Sequence, residues 1–183
     1  NRLGKHSGKW TAVVAKGAPF TSRYLRFEVP RGEKLAGRLE LFKPPADNAA
    51  AGVWVIRFDY ARLTAGKGGP ELCELQLKTG RGRIIASPAM WYGAFLGNWR
   101  KVKSNRPLPL NKVVAIRIEL DYTRKEYRLY VNGEKTETVQ QRLGGFGGLS
   151  LVFTNKSADH DLAFGLDNLR LGRQMTGSPV RIE

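Results

Sequence analysis

Cysteine is almost absent from this 183-residue sequence, and Cys73 stands alone. A single thiol cannot form an internal disulfide, so the sequence excludes a disulfide-stapled scaffold and any metal or redox site built on a pair of cysteines. Long apolar runs are also missing, because none approaches the roughly 18 residues that a membrane-spanning helix needs. We expect a secreted or periplasmic protein without a membrane span, from which a leader has been removed.

Acidic residues are scarce beside basic ones, with 16 Asp and Glu against 31 Lys and Arg and a formal net charge of +15. Such a charge attracts polyanions over a distance and raises their rate of encounter. The basic residues are scattered along the whole chain, so a simpler alternative is that they keep the surface solvated. Nucleic acid is the weaker candidate partner, because no recognised nucleic-acid motif is present.

Helical periodicity is missing as well, and the apolar residues alternate with a period of two. The clearest case is Lys112–Tyr122, where alternate positions are apolar over the whole segment. The next segment, Glu126–Val131, runs into the pair Asn132-Gly133, which favours the positive φ angles of a tight hairpin turn. With Glu134–Val139 the pattern predicts a meander of three strands.

Similar short segments recur along the chain between turns rich in Gly, Pro, Asn and Asp. They are Trp10–Val14, Arg23–Val29, Gly37–Phe42, Val53–Tyr60, Glu71–Lys78, Arg83–Ser87, Gly147–Thr154 and Asp161–Leu171. The sequence therefore predicts an all-β fold, an antiparallel two-sheet jelly-roll sandwich of eleven or twelve strands. We expect a single domain over residues 1–183, with its core at about 9–172 and short basic tails.

Two neighbouring strands carry unusual polar residues opposite their apolar faces. Arg57 and Asp59 alternate with apolar residues in the first, and Glu74 and Gln76 do so in the second. If the two strands pair as a hairpin, the four side chains share one exposed sheet face, where they could hold a sugar through hydrogen bonds. The alternative is a cross-strand salt bridge on a solvated face.

An aromatic stretch follows, and it supplies candidates for stacking on sugar rings. Trp91, Tyr92, Trp99 and Arg100 are the residues that we expect to contact a substrate there. The alternative is that the tryptophans close the open end of the sandwich.

Catalysis is a second use of the same residues. Asp59 and Glu74 could act as a carboxylate pair in glycoside hydrolysis if they lie about 5 to 9.5 Å apart. Elimination from a uronic acid would instead need a neutralising group and a base, and the candidates are Arg57, Gln76, Tyr92 and His6.

No cofactor is required by any of these patterns. Asp47 and Asp167, each followed by Asn, are oxygen donors at predicted strand ends where a structural calcium ion could bind. Ordinary turn chemistry explains the same residues.

Four short segments resemble the concanavalin A-like, laminin-G-like jelly-roll superfamily, and they look closest to bacterial 3-keto-disaccharide hydrolase-type domains. They are Gly52–Arg57, Gly69–Leu77, Leu129–Glu134 and Leu166–Leu171. The resemblance implies two curved sheets with a glycan site on the concave one. It also implies that Arg57, Glu74 and Gln76 correspond to the arginine and the E-x-Q pair of that family.

Three functions follow as hypotheses. The first is a carbohydrate-binding or carbohydrate-processing domain that recognises a glycan, expected to be acidic, on the concave sheet. The second is a glycoside hydrolase or polysaccharide lyase acting on an acidic glycan. The third is a structural or interaction domain that binds a polyanion, with an affinity that falls steeply with salt.

Overall fold

The computed structural model describes residues 10–31, 37–43, 52–64, 71–86, 88–91, 94–98, 106–107, 109–155 and 161–174. These residues form strands and turns without any helix, and so include no helical segment that could cross a membrane. The strands are β1 Thr11–Lys16, β2 Arg23–Val29, β3 Gly37–Phe42, β4 Val53–Arg62, β5 Glu71–Thr79, β6 Ile84–Ala86, β7 Pro88–Trp91, β8 Ala94–Asn98, β9 Arg106–Pro107, β10 Val113–Asp121, β11 Glu126–Val131, β12 Glu134–Gln140, β13 Phe146–Asn155 and β14 Leu162–Gln174.

The strands form two sheets. The first sheet has the order β1-β2-β14-β4-β10-β11-β12, and the second has the order β3-β13-β5-β7-β8-β9 with β6 paired to β5. Every pairing between these strands is antiparallel. The prediction of an all-β, antiparallel two-sheet sandwich is confirmed.

The core lies between the sheets, and alternate residues of each central strand fill it. From the first sheet β4 contributes Trp54, Ile56 and Phe58, and β10 and β14 contribute in the same way. From the second sheet the core receives Leu39, Leu75, Leu77, Leu149 and Leu151, each of them at most 2% exposed. Burying one such side chain stabilises the fold by about 1.5–3 kcal/mol.

The predicted meander is present as β10, β11 and β12. Asn132 and Gly133, the turn residues, have φ angles of 51° and 83°, as a tight hairpin turn requires. The Asn132 side chain also accepts a hydrogen bond of 2.9 Å from the backbone N–H of Ala115. The turn thereby holds the neighbouring strand as well as its own hairpin.

The aromatic stretch lies outside the strands that the sequence predicts, yet part of it is strand in the structure. Trp91 ends β7 and Ala94–Asn98 form β8; these two strands pair antiparallel with each other, and β7 also pairs with β5. The pairing of β7 with β5 joins segments that are separated in the chain, and the alternation within a segment does not reveal such a contact. The second sheet is therefore wider than the alternation alone indicated.

Candidate functional site

The four polar residues predicted to share one face are divided between the two sheets. Arg57 and Asp59 lie on β4, which pairs with β10 and β14 in the first sheet. Glu74 and Gln76 lie on β5, which pairs with β13 in the second sheet. The predicted β4–β5 hairpin is wrong, and with it the shared face and the approach of Asp59 to Glu74.

The error has a simple physical origin. Residues 63–70 separate β4 from β5, and a connection of that length can cross from one sheet of a sandwich to the other as readily as it can close a hairpin. Alternation shows which side chains face away from the core, and it does so correctly for both strands. It does not show to which sheet a strand belongs.

The outer face of the second sheet, directed away from the core, is the better candidate site. Leu75, Leu77 and Leu151 point into the core, so Glu74, Gln76 and Ser150 point the other way. These three polar residues are nevertheless buried, with exposures of 3%, 7% and 3%. Polar groups as buried as these are uncommon on an outward sheet face, and neighbouring groups must cover this part of the sheet.

Arg38 on β3 completes this arrangement, and sequence reasoning missed it. Its Nη2 atom donates a hydrogen bond of 3.1 Å to Oε1 of Gln76. The bond spans β13, which lies between β3 and β5 in the sheet. The alternation of β3 placed Arg38 on the outer face, but the sequence held no sign that β3 lies two strands from β5.

Lys78 is the fourth member of the group. Burial lowers the pKa of its ammonium group, and the positive charge of Arg38 lowers it further, while Glu40 and Glu74 act in the opposite direction. Two cations and two carboxylates thus influence one another on a small area of the sheet. We call Arg38, Glu74, Gln76 and Lys78 the second-sheet cluster.

A cavity of about 650 Å³ begins at the end of this cluster. Thr79 follows Lys78 in the chain, and Ile84 lies opposite Lys78 on the neighbouring strand. Thr79 and Ile84 both line the cavity. The remaining lining residues are Gly80, Arg81, Arg83, Ile85, Gln141, Arg142, Gly144 and Gly145. Three arginines around an apolar floor give the cavity a basic character, and the sequence analysis did not single out any of these residues.

The predicted aromatic contacts lie mostly outside the described residues. Tyr92, Trp99 and Arg100 are in this group, and of Trp91 only the backbone is described, at the end of β7 opposite Leu72. Their role in binding a glycan stays a prediction.

Of the two predicted cation ligands, the structure describes only Asp167. Asp47 lies outside the described residues. The Asp167 carboxylate accepts hydrogen bonds from the hydroxyl of Ser22 and from the backbone N–H of Asn168. Within the described ranges, no three His, Cys, Asp or Glu side chains come together as a metal site, so a calcium ion stays a prediction.

Chemically, the second-sheet cluster combines the groups that bind a charged sugar. A guanidinium and an ammonium can hold a carboxylate, while an amide and a carboxylate exchange hydrogen bonds with hydroxyl groups. Glu74 and Gln76 are buried, so bonds to these two residues are less exposed to competition from water.

Comparison with known proteins identifies the class of fold. No protein-family model matches the chain, and no curated protein matches it. Among solved structures, one described as a sialidase superposes with a TM-score of 0.64 at 12% identity, covering 92% of this chain and 18% of that chain. This chain therefore spans less than a fifth of the sialidase.

Two alginate lyases match over most of both chains. Alginate lyase AlgAT5 from polysaccharide lyase family 7 has a TM-score of 0.63 at 10% identity, covering 83% of this chain and 79% of that one. The alginate lyase from Corynebacterium sp. has a TM-score of 0.60 at 12% identity, covering 82% and 77%. At these identities the likeness establishes the fold, a jelly-roll sandwich as predicted.

Proposed function

We propose that this protein binds an acidic polysaccharide on the outer face of its second sheet, as a carbohydrate-binding or carbohydrate-processing jelly roll. The observation that carries the proposal is the hydrogen-bonded pair of Arg38 and Gln76 beside the buried Glu74. A group of hydrogen-bonded donors and acceptors on an outward sheet face contributes little to the core but suits a polar ligand.

The charge distribution supports an acidic ligand. Arg38 and Lys78 are the cations of the cluster, and Arg81, Arg83 and Arg142 line the cavity that begins beside it. A polymer with repeating carboxylates could contact the cluster and the cavity together. Its overall affinity would then exceed that of either site alone. The net charge of +15 would raise the rate of encounter.

The structural neighbours agree with this ligand class. The alginate lyases that share the fold act on alginate, a polymer of uronic acids. The fold hosts different activities, so the neighbours support a glycan ligand but do not decide whether this chain cleaves it. The finer likeness to 3-keto-disaccharide hydrolase-type domains, which matches Glu74 and Gln76 to an E-x-Q pair, remains part of the proposal.

Eliminative cleavage is a second candidate, favoured by the lowered pKa of Lys78. In such a reaction Arg38 and Gln76 would hold the uronate carboxylate, and the deprotonated form of Lys78, which the lowered pKa makes easier to reach than in an ordinary lysine, would take the proton from the adjacent carbon. The carbon–oxygen bond to the next sugar then breaks, a carbon–carbon double bond forms, and the departing oxygen takes up a proton. The products are an unsaturated sugar and a shortened chain.

The test is calorimetric titration with alginate and polygalacturonate oligosaccharides, with a neutral glucan as the comparison ligand. We expect saturable binding of the acidic oligosaccharides and at least about tenfold weaker binding by Arg38→Gln, because a hydrogen bond from a charged group is worth about 1.5–3 kcal/mol. Arg26→Gln is the matched control, since Arg26 pairs with Glu28 at 2.7 Å on the first sheet.

Two results would count against the proposal. Equal affinity of Arg38→Gln and Arg26→Gln would show that the second-sheet cluster does not bind the glycan. Binding that depends on salt alone, with no preference among polyanions, would support an interaction domain instead. Ultraviolet absorbance of an unsaturated product separates cleavage from binding alone.

A further inference from the structure

Three arginines stand side by side on the outer face of the first sheet, on the opposite side of the molecule from the second-sheet cluster. Arg57 on β4 lies directly opposite Arg117 on β10 and directly opposite Arg170 on β14. Adjacent strands lie about 4.8 Å apart, so the row Arg170–Arg57–Arg117 places a guanidinium on each of three consecutive strands. We call these residues the arginine row.

Like charges directly opposite each other on a sheet are destabilising, and the neighbouring carboxylates do not remove the imbalance. Asp59 accepts a hydrogen bond of 2.7 Å from the Asn168 amide, and Asp167 is held by Ser22 and by the Asn168 backbone. Neither acid forms an ion pair with the row. Within the described part of the chain, Arg57 and Arg170 have no salt-bridge partner.

Arg57 is the central residue of the row. Its Nε atom is shielded from solvent and has no hydrogen-bond partner among the described residues. A buried donor left unsatisfied is destabilising.

Arg117 is held in place for such a contact. Its guanidinium lies 3.7 Å from the centre of the Tyr130 ring, and a planar guanidinium stacks on an aromatic face with its N–H groups left free to donate at its edge. Its Nε atom lies 3.4 Å from Glu119 Oε1, but that carboxylate group also accepts a hydrogen bond of 2.9 Å from Arg128. Arg117 is thus only partly neutralised.

A cavity of about 350 Å³ lies over the row. It is lined by Arg57, Phe58, Asp59, Ala115, Ile116, Arg117, Tyr130, Gly133, Asn168 and Arg170. Three of these side chains are cations and Asp59 is the single acid among them. The volume is ample for one small polyatomic anion with its remaining hydration water.

We propose that the arginine row is an oxyanion site, which binds a sulfate or phosphate group, either as the free ion or as an ester on a larger molecule. Guanidinium groups bind such oxygens through pairs of parallel hydrogen bonds, and the anion would relieve the repulsion within the row. The site stands apart from the proposed function, because it lies on the other sheet and shares no residue with the second-sheet cluster.

The experiment is a titration of the protein with sodium sulfate at constant ionic strength, with sodium chloride as the balancing salt. Nuclear magnetic resonance signals of the arginine Nε–H groups and of the β4, β10 and β14 amides report binding. We expect saturable shifts confined to the row, and at least tenfold weaker binding by Arg57→Gln. Arg26→Gln, the same change on the same sheet face, should bind sulfate as the parent protein does.

Arg170→Gln is a second variant, needed in case Arg57→Gln does not fold. Arg170 is exposed, so its replacement should not disturb the fold. It should also weaken sulfate binding while leaving the spectrum of the rest of the protein unchanged. The proposal is overturned if the shifts do not saturate, if they spread over the whole basic surface, or if both variants bind sulfate as tightly as Arg26→Gln does.

A second titration with a sulfated oligosaccharide distinguishes the two sources of the group. Equal affinity for inorganic sulfate and for the ester identifies the free ion as a sufficient ligand, whereas tighter, Arg57-dependent binding of the oligosaccharide identifies an ester. Alginate binding measured on Arg57→Gln should equal that of the parent protein. A negative result for sulfate binding at the arginine row can therefore be distinguished from a negative result for glycan binding at the second-sheet cluster.

Discussion

Arg38 and Gln76, 38 positions apart in the chain, are joined side chain to side chain by a hydrogen bond of 3.1 Å. The bond crosses β13 and fixes two groups of the second-sheet cluster relative to each other. A guanidinium held in this way keeps its remaining N–H groups in a constant direction, which is the preorganisation that a binding site requires.

Gln76→Glu keeps the size of the side chain but adds a negative charge beside the buried Glu74. We expect affinity for acidic oligosaccharides to fall at least about tenfold, since like charges within a recessed site repel strongly. The control is Gln140→Glu, which adds the same charge next to Glu126 on the first sheet, where the glutamine now donates a hydrogen bond of 2.6 Å. Calorimetry on both variants measures the difference, and equal affinities would contradict the placement of the site.

Lys78 gives the proposed site a pH dependence. Burial and Arg38 lower its pKa, so its positive charge is lost at a lower pH than that of an ordinary lysine. A bound carboxylate favours the charged form, so affinity should fall as the pH rises through the range in which Lys78 loses its proton, which lies below that of an ordinary lysine. Lys78→Arg keeps its charge throughout this range and should abolish the decline; a decline that persists in Lys78→Arg would assign it to another group.

Tyr127→Phe tests whether the Tyr127 hydroxyl contributes to the stability of the core. The residue is fully buried, and burial together with the charge of Glu137 raises the pKa of its phenol well above the ordinary value. Its hydroxyl has no hydrogen-bond partner among the described residues. Tyr127→Phe should therefore leave the free energy of unfolding unchanged or raise it by up to about 1 kcal/mol.

Tyr122→Phe is the matched control for that substitution. The Tyr122 hydroxyl donates a hydrogen bond of 2.9 Å to the Gly144 carbonyl, so its removal should lower the free energy of unfolding by about 1 kcal/mol. Urea denaturation of the two variants gives the comparison. A larger loss for Tyr127→Phe than for Tyr122→Phe would mean that the Tyr127 hydroxyl has a partner in solution.

Arg128 is the centre of an ion-pair network on the first sheet. It contacts Glu119 at 2.9 Å, Glu126 at 3.2 Å, and Asp121, whose side chain is 3% exposed. Arg128→Met should lower the free energy of unfolding by about 3 kcal/mol, because it leaves a buried carboxylate without its main partner.

Arg124→Met provides the comparison on the same carboxylate. Arg124 reaches Asp121 at 3.4 Å with a side chain that is 68% exposed, and an ion pair of this kind is worth about 0–1 kcal/mol. Chemical denaturation should show a much larger loss in the free energy of unfolding for Arg128→Met than for Arg124→Met. Similar losses would show that Asp121 is stabilised by its surroundings rather than by Arg128.

The faces of the strands were predictable from the sequence. In β4, β5 and β10 every second residue is apolar, and in the structure those residues fill the core. The turn at Asn132 and Gly133 was predictable too, because few residue pairs adopt two consecutive positive φ angles. Arg57, Glu74 and Gln76 were therefore recognised as outward-facing residues worth attention.

What the sequence alone determined is thus local: the strands, their inner and outer faces, the hairpin turn and the excess of positive charge. The tertiary structure alone decided which strands are neighbours, and so it separated Arg57 from Glu74, joined Arg38 to Gln76, and aligned Arg57 with Arg117 and Arg170. The physical reason is that alternation arises from the geometry of each strand by itself, whereas sheet membership depends on hydrogen bonds between strands that are far apart in the chain.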